Sequence, residues 1–425
     1  MMNSAELKKM LGEGALARYA DLYADIPAQT ERWIAAIRSF ETNFGQGRDV
    51  ALFSVPGRSE IIGNHTDHNR GCVLAGAIDR DIIAVAAEND DGVIRLYSEG
   101  YPMSQISLDR INDPQAFPNF SSDALIAGMC AAFRKNGHLV RGFDAYSNTE
   151  VLKGSGISSS AAYEVMIGNI LNHLFNDGKV ENEQIAKYAQ YAENVYFGKP
   201  CGLMDQMACA VGGFVFIDFA DPKNPVIEPI SFSLTEAGYV LCIVNTGGNH
   251  ADLNEDYASV PAEMRAVAAL CGQEVLRGID EEQIVRQIPA LRAAVGDRAI
   301  LRALHFVREN KRVLAAKDAL KAEQVEEFLA QITASGKSSF EYLQNVYTVK
   351  NVAEQGLSLA LALTDGYLAG EGCAFRVHGG GFAGTVQVFI KRDLLDGYCA
   401  YMDRVFGQNA AMRLRIRPAG AIRLF

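Results

Sequence analysis

Along this chain, short apolar runs of strand length alternate with longer stretches whose apolar residues recur every three or four positions. The opening stretch, AELKKMLGEGALARYADLYADIPAQTERWIAAIRSFETNF, has the helical spacing and is interrupted near Pro27. ALFSVPG then predicts a strand ending in a turn, and VLAGAI, DIIAVAAEN and VIRLYSE predict three more strands. Residues 122–136 predict a helix and FDAYSNTEVL another strand. A glycine-serine loop at 154–160 opens a long helix, AAYEVMIGNILNHLF, and NEQIAKYAQYAENVYFG predicts a second. After the strands GGFVFIDF and GYVLCIVNT the pattern turns, from about residue 260, to long amphipathic helices. Near 374 it returns to strands, AFRVHGGG and GTVQVFI, and the closing RLRIRPAGAIRLF alternates with the period of a strand.

Helices and strands mixed in this way predict an α+β protein. A chain of 425 residues is long for one core, so two domains are expected, 1–230 and 231–425. The net charge of -11 argues against a nucleic-acid surface, which needs clustered Lys and Arg. It does not argue against a nucleotide, since backbone amides, a helix N-terminus and a metal ion can hold one triphosphate. Eight cysteines are scattered with no C-x-x-C pair, which suits small buried hydrophobes in a reducing compartment. No apolar stretch approaches the ~20 residues of a membrane span, so a cytoplasmic protein with no membrane partner is expected.

Three constellations carry chemistry. VLKGSGISSSAAYEV, residues 151–165, places glycines where backbone can approach a ligand and serines at the first turn of a helix, where free N–H groups favour an anion. A capped helix after a loop is an equal reading, because serine is a favoured N-cap. SVPGRSEIIGNHTDHNRG, residues 54–71, crowds hydrogen-bonding side chains suited to a polyhydroxylated ligand. A polar surface loop, or half of a metal site at His65, Asp67 and His68, are its alternatives. AFRVHGGGFAGTVQVF, residues 374–389, holds four glycines in six positions between two strands. That is either a wide hairpin turn or backbone packed tightly against another loop or a ligand.

Together these segments resemble the GHMP kinase superfamily and, within it, the galactokinase family. The stretch at 54–71 is similar to the signature in which PGR precedes a GEHTDY-type run, and 151–165 to the phosphate loop GLSSSAA. The glycine run resembles the GGGFGG loop, AENVYFGKPCGLMDQMACAVGG the segment carrying the catalytic aspartate, and RIRPAGAIRL the family C-terminus. The resemblance implies a two-domain GHMP kinase fold with mixed sheets, helices and the active site between the domains. It implies ATP and Mg²⁺, transfer to the anomeric hydroxyl of galactose, and a monomer or weak homo-oligomer.

Residue by residue, the resemblance makes Asp205 the base and Arg58 its partner beside the transferring phosphoryl group. It assigns Mg²⁺ to Ser159 and Glu193, and the phosphates to Gly154, Ser155, Gly156, Ser158, Ser159 and Ser160. It assigns the sugar to Asn64, His65, Asp67, Gly202 and Tyr257. Two departures bear on the sugar. The family usually has Glu where this chain has Asn64, and Tyr where it has His68. A neutral Asn64 would not repel a C6 carboxylate, which keeps a modified galactose such as galacturonate, or an amino sugar, as the alternative substrate. The tryptophan common before the helix near 125 is also missing, so no adenine platform is assigned.

Overall fold

The computed structural model describes residues 1–151, 156–199, 201–248 and 253–425. They form an α+β protein with a nine-stranded and a four-stranded sheet. The larger sheet takes the strands up to Val226–Ile230 and, in addition, the last strand of the chain, Ile422–Arg423. The smaller sheet is antiparallel, in the spatial order Ala374–His378, Thr385–Lys391, Tyr239–Asn245, Ala411–Leu414. The two sheets are not two separate cores. One apolar cluster runs from Phe53 and Ile62 through Met166 and Met207 to Leu241, Phe328, Phe389 and Leu414.

The strand Asp49–Ile62 is buried at every position after the first, because both of its faces are covered. Side chains alternate across a strand. Ala51, Phe53 and Val55 therefore enter the central cluster, while Val50 and Leu52 meet Trp33, Ile37 and Phe40 of the N-terminal helices. Those helices are packing, and a buried polar cluster fastens them. Arg32 pairs with Asp81 at 2.6 Å, Tyr23 donates to the same carboxylate at 3.1 Å, and Arg417 of the closing segment reaches it at 3.3 Å.

Four predicted elements differ from the observed ones. ALFSVPG does not end in a turn, because the strand runs through Pro56 to Ile62. The ladder register shifts between Pro56 and Arg58, so the missing proline N–H leaves no gap in regular pairing. Gly57 leaves space there for the Ile157 carbonyl, which a Cβ would meet at 2.7 Å. VLAGAI and DIIAVAAEN belong to one long strand, Cys72–Glu88. The closing RLRIRPAGAIRLF is split between the sheets, as Ala411–Leu414 and Ile422–Arg423. Between them Gly420 lies so close to the Ala210 carbonyl that a Cβ would stand 2.1 Å from it.

Candidate active site

Arg58 follows the register shift on the strand Asp49–Ile62, and its N–H donates to the Ile157 carbonyl at 3.1 Å. This bond docks the serine loop against the strand. The guanidinium grips Asp205 at two points, Nε to Oδ1 at 2.8 Å and Nη2 to Oδ2 at 2.7 Å. Its third nitrogen donates to the Gly156 carbonyl at 2.5 Å. Asp205 lies in the first turn of the helix Met204–Val211, where the helix dipole favours a negative charge. Ser158, in the left-handed region with φ of 62°, donates its hydroxyl to Asp205 Oδ2. Burial pushes the Asp205 carboxyl up, but the charge and hydrogen bonds of Arg58 and the Ser158 hydroxyl outweigh it and hold the carboxyl below its ordinary value.

Ser159 opens the helix Ser159–Phe175, with Ser160 beside it in the first turn. Gly156 has φ of +75°, and a Cβ there would approach His378 at 3.3 Å. Gly154 and Ser155 lie outside the described residues. Glu193 is buried on the π-helical segment Ala192–Phe197, which continues the helix Asn182–Tyr191 with a wider turn. It accepts from Lys199 at 3.1 Å and from Gln206 at 2.8 Å. Gln206 also reaches Glu164 at 3.4 Å. Burial, and then the charge of Glu193, push the Glu164 carboxyl well above its ordinary value. Glu164 Oε1 and Gln206 Oε1 are both buried without a hydrogen-bond partner. Such a group of oxygen donors fits a hard cation. No cluster of three His, Cys, Asp or Glu side chains suited to a metal ion occurs among the described residues. A cation held in large part by phosphate oxygens does not require one.

Beside the Arg58–Asp205 pair opens a cavity of about 610 Å³. Its lining includes Arg58, Asn64, His65, Asp67 and Gly202 of the predicted site residues. It also includes Glu60 and His68, which belong to the crowded stretch 54–71 but were not assigned to the sugar one by one, and Gln190, Arg265, Gly379 and Gly380, which reasoning from the sequence did not assign to it. Asp67 is partly exposed to this cavity, and Gly202 presses so close that a Cβ would sit 3.0 Å from its Oδ2. His65 donates from Nε2 to the Gly380 carbonyl at 2.9 Å, since a carbonyl only accepts. Its Nδ1 then accepts from His68 Nε2 at 3.1 Å. Burial, then the neighbouring His68, lower the His65 pKa to about 4, so its ring is neutral at pH 7. Both ring nitrogens of His65 are engaged within the protein, so His65 does not offer one to a metal.

The glycine loop is packed against another loop, with three consecutive carbonyls in use. Gly379 accepts from Asn64 at 2.6 Å, Gly380 from His65 and Gly381 from the Tyr257 hydroxyl at 2.9 Å. Gly381 has φ of +82°, and a Cβ would stand 2.0 Å from the Asn345 carbonyl. Tyr257 lies behind this loop, edge-on to Phe382 at 5.4 Å, and is not among the residues lining the cavity.

Residues 124–213 match the model of the GHMP kinases N terminal domain, and residues 38–88 match the galactokinase galactose-binding signature. The galactokinase of Streptomyces coelicolor is 30% identical over 382 residues, which cover 88% of this chain and 94% of that one. The chain belongs to the galactokinase family. Among other galactokinases, that of Actinobacillus pleuropneumoniae is 29% identical over 379 residues, covering 88% of this chain and 92% of its own. The crystal structure of Lactococcus lactis galactokinase complexed with galactose superposes with a TM-score of 0.75 at 24% identity, covering 91% of this chain and 98% of that one. A mevalonate kinase superposes with a TM-score of 0.60 at 14% identity, covering 86% and 98%. These likenesses establish the GHMP kinase fold. The amide of Asn64 is wholly engaged inside the protein.

Proposed function

We propose that the chain is a sugar kinase that transfers the γ-phosphoryl group of ATP to the anomeric hydroxyl of galactose, giving galactose 1-phosphate and ADP. The observation that carries this reading is the two-point contact of Asp205 with Arg58, which itself lines a cavity that also takes in Asp67 and Gly202. A carboxylate held ionised by a guanidinium is suited to accept or orient the proton of an attacking hydroxyl. The same guanidinium can stabilise charge that develops on the phosphoryl oxygens. Phosphoryl transfer asks little else of the protein beyond positioning and charge.

The phosphates would rest on the loop that ends at Ser160, held by backbone N–H groups at the start of the helix Ser159–Phe175. Ser158 differs from its neighbours, because its hydroxyl serves Asp205. Ser159 and Glu193 would hold Mg²⁺, with Gln206 and Glu164 behind Glu193. When bound, the cation would neutralise charge across the β- and γ-phosphates. Glu193→Gln is expected to raise the Mg²⁺ concentration for half-maximal rate about tenfold or more. A metal titration that overlays the parent's would remove Glu193 from the metal site.

No helix among the described residues is long and apolar enough to cross a membrane. We infer a cytoplasmic enzyme whose partners are ATP and a free sugar, with residues 1–230 and 231–425 as two lobes that share one apolar core, the closing strand Ile422–Arg423 crossing back to the first. The test of the reading is coupled ADP release across galactose, other hexoses, galacturonate and amino sugars. Galactose is expected to give the highest kcat/KM, and silence on every sugar would sink the reading.

A further inference from the structure

Asn64 lines the cavity beside Arg58, and its surroundings show how its amide is used. A primary amide has two N–H donors and two acceptor lone pairs. Asn64 Nδ2 donates to Glu60 Oε1 at 3.0 Å and to the Gly379 carbonyl at 2.6 Å. Its Oδ1 accepts from Asn345 Nδ2 at 2.7 Å and from Ser339 Oγ at 3.4 Å. All four capacities are spent inside the protein, and the residue is fully buried. Asn64 is thus a clip that joins the strand Asp49–Ile62 and the loop after it to the glycine loop and the segment near 340. A sugar hydroxyl would have to break one of these bonds to reach it.

A carboxylate stands four residues earlier, at Glu60. Glu60 lines the same cavity as Asp67 and Gly202. Its Oε1 is held by Arg376 at 3.0 Å and by Asn64 at 3.0 Å, which fixes the side chain. Its Oε2 accepts no hydrogen bond from the described residues, and it is not among the atoms sealed from solvent. A rigid acceptor with one free oxygen is therefore directed at the cavity.

Its place along the strand suits the far side of a sugar. Glu60 follows Arg58 by two residues in a regular stretch of ladder, with Arg58 opposite Ala77 and Glu60 opposite Ala75. Two residues of strand span about 7 Å, and residues i and i+2 share a face. With the anomeric hydroxyl at Asp205, a hexose ring that extends along this strand from Arg58 would bring its far side to Glu60.

We propose that Glu60 is the specificity-determining carboxylate of this enzyme, accepting a hydrogen bond from a sugar hydroxyl remote from C1 and repelling sugars that carry a carboxylate there. This rests on the sugar kinase reading above. It reverses what the neutral Asn64 alone suggested, because the lining of the pocket includes the carboxylate of Glu60. Arg265 is the one cation besides Arg58 among the described lining residues, and it is exposed.

The experiment measures kcat and KM for galactose and galacturonate in the parent, Glu60→Gln and Glu60→Asp. The parent is expected to prefer galactose. Glu60→Gln should lower the ratio of kcat/KM for galactose to that for galacturonate by about tenfold or more, since one unit of like charge at close range is removed. Glu60→Asp keeps the charge beside Arg376 but withdraws the oxygen. It should raise KM for galactose, leave kcat near the parent's and still exclude the uronate. A role confined to folding would lower both sugars together and leave the ratio unmoved. An unchanged ratio in folded Glu60→Gln overturns the proposal. If that variant does not fold, an unchanged galactose KM in Glu60→Asp overturns it. A parent that phosphorylates another hexose and not galactose overturns the galactose reading instead. The same comparison between that hexose and its uronic acid then decides Glu60.

Discussion

Asp205→Asn is expected to lower turnover by about 10²–10⁴ while ATP binding survives, the range found when a general base is lost. The substitution keeps the shape of the side chain and one acceptor oxygen, so Arg58 retains part of its contact. It removes the charge that makes the group a base. The loop that ends at Ser160 would hold phosphates through backbone amides, which the substitution does not touch. The decisive measurement pairs steady-state rates at saturating galactose with nucleotide affinity by calorimetry. A folded variant that turns over near the parent's rate would falsify the role of Asp205. Loss of ATP affinity in step with rate would move Asp205 from the sugar to the nucleotide.

What could be read in advance was local. The serine loop, the glycine run and the crowded stretch at 54–71 each announce themselves within twenty residues, because turns, caps and close backbone approach have compositional signatures. The apolar periodicity also located most helices and strands. Pairing across the chain had no such signature. Arg58 and Asp205 are separated by 147 positions, and only resemblance to a family brought them together beforehand. The buried clip at Asn64 uses Ser339, Asn345 and Gly379, at least 275 positions away. Asn64 looked like a change in sugar chemistry because its own partners lie so far along the chain.

Glu60 was hidden for a different reason. On a strand buried on both faces, a carboxylate reads as one more polar residue of a crowded loop. Its significance depends on which oxygen is free, and that is decided by Arg376 on the distant strand Ala374–His378. Burial pushes the Glu60 carboxyl up, and Arg376 and Asn64 offset this only in part. Tyr257 shows the converse. It was assigned to the sugar from its sequence neighbours, and the contact of its hydroxyl with the Gly381 carbonyl lies 124 positions away. The π-helical turn that carries Glu193 also had no signal, since AENVYFG continues the helical spacing without a break.

Arg58→Met is expected to cost about 10²–10³ in kcat, comparable to loss of one preorganised charge donor at a transition state. It should also change the pH dependence in a direction that follows from the Asp205 environment. Burial raises that carboxyl and Arg58, with Ser158, lowers it by more. In the parent, the ionised base therefore persists below the ordinary carboxylate value of about 4. Its pairing contributes stability that is present above the unfolded value and is lost as pH falls through the folded one. Without Arg58 the burial effect is opposed only by Ser158 and more distant charge. The carboxyl then titrates at higher pH, and the acid limb of kcat moves upward, toward neutrality. Arg58→Lys separates charge from geometry. An ammonium keeps Asp205 ionised but cannot make the two-point contact. Its acid limb should return toward the parent's while its plateau rate stays depressed. The profile is measured at saturating galactose and ATP, with thermal melts to show that each variant is folded. An acid limb that stays in place in folded Arg58→Met would mean that Asp205 is not the group whose ionisation the rate reports.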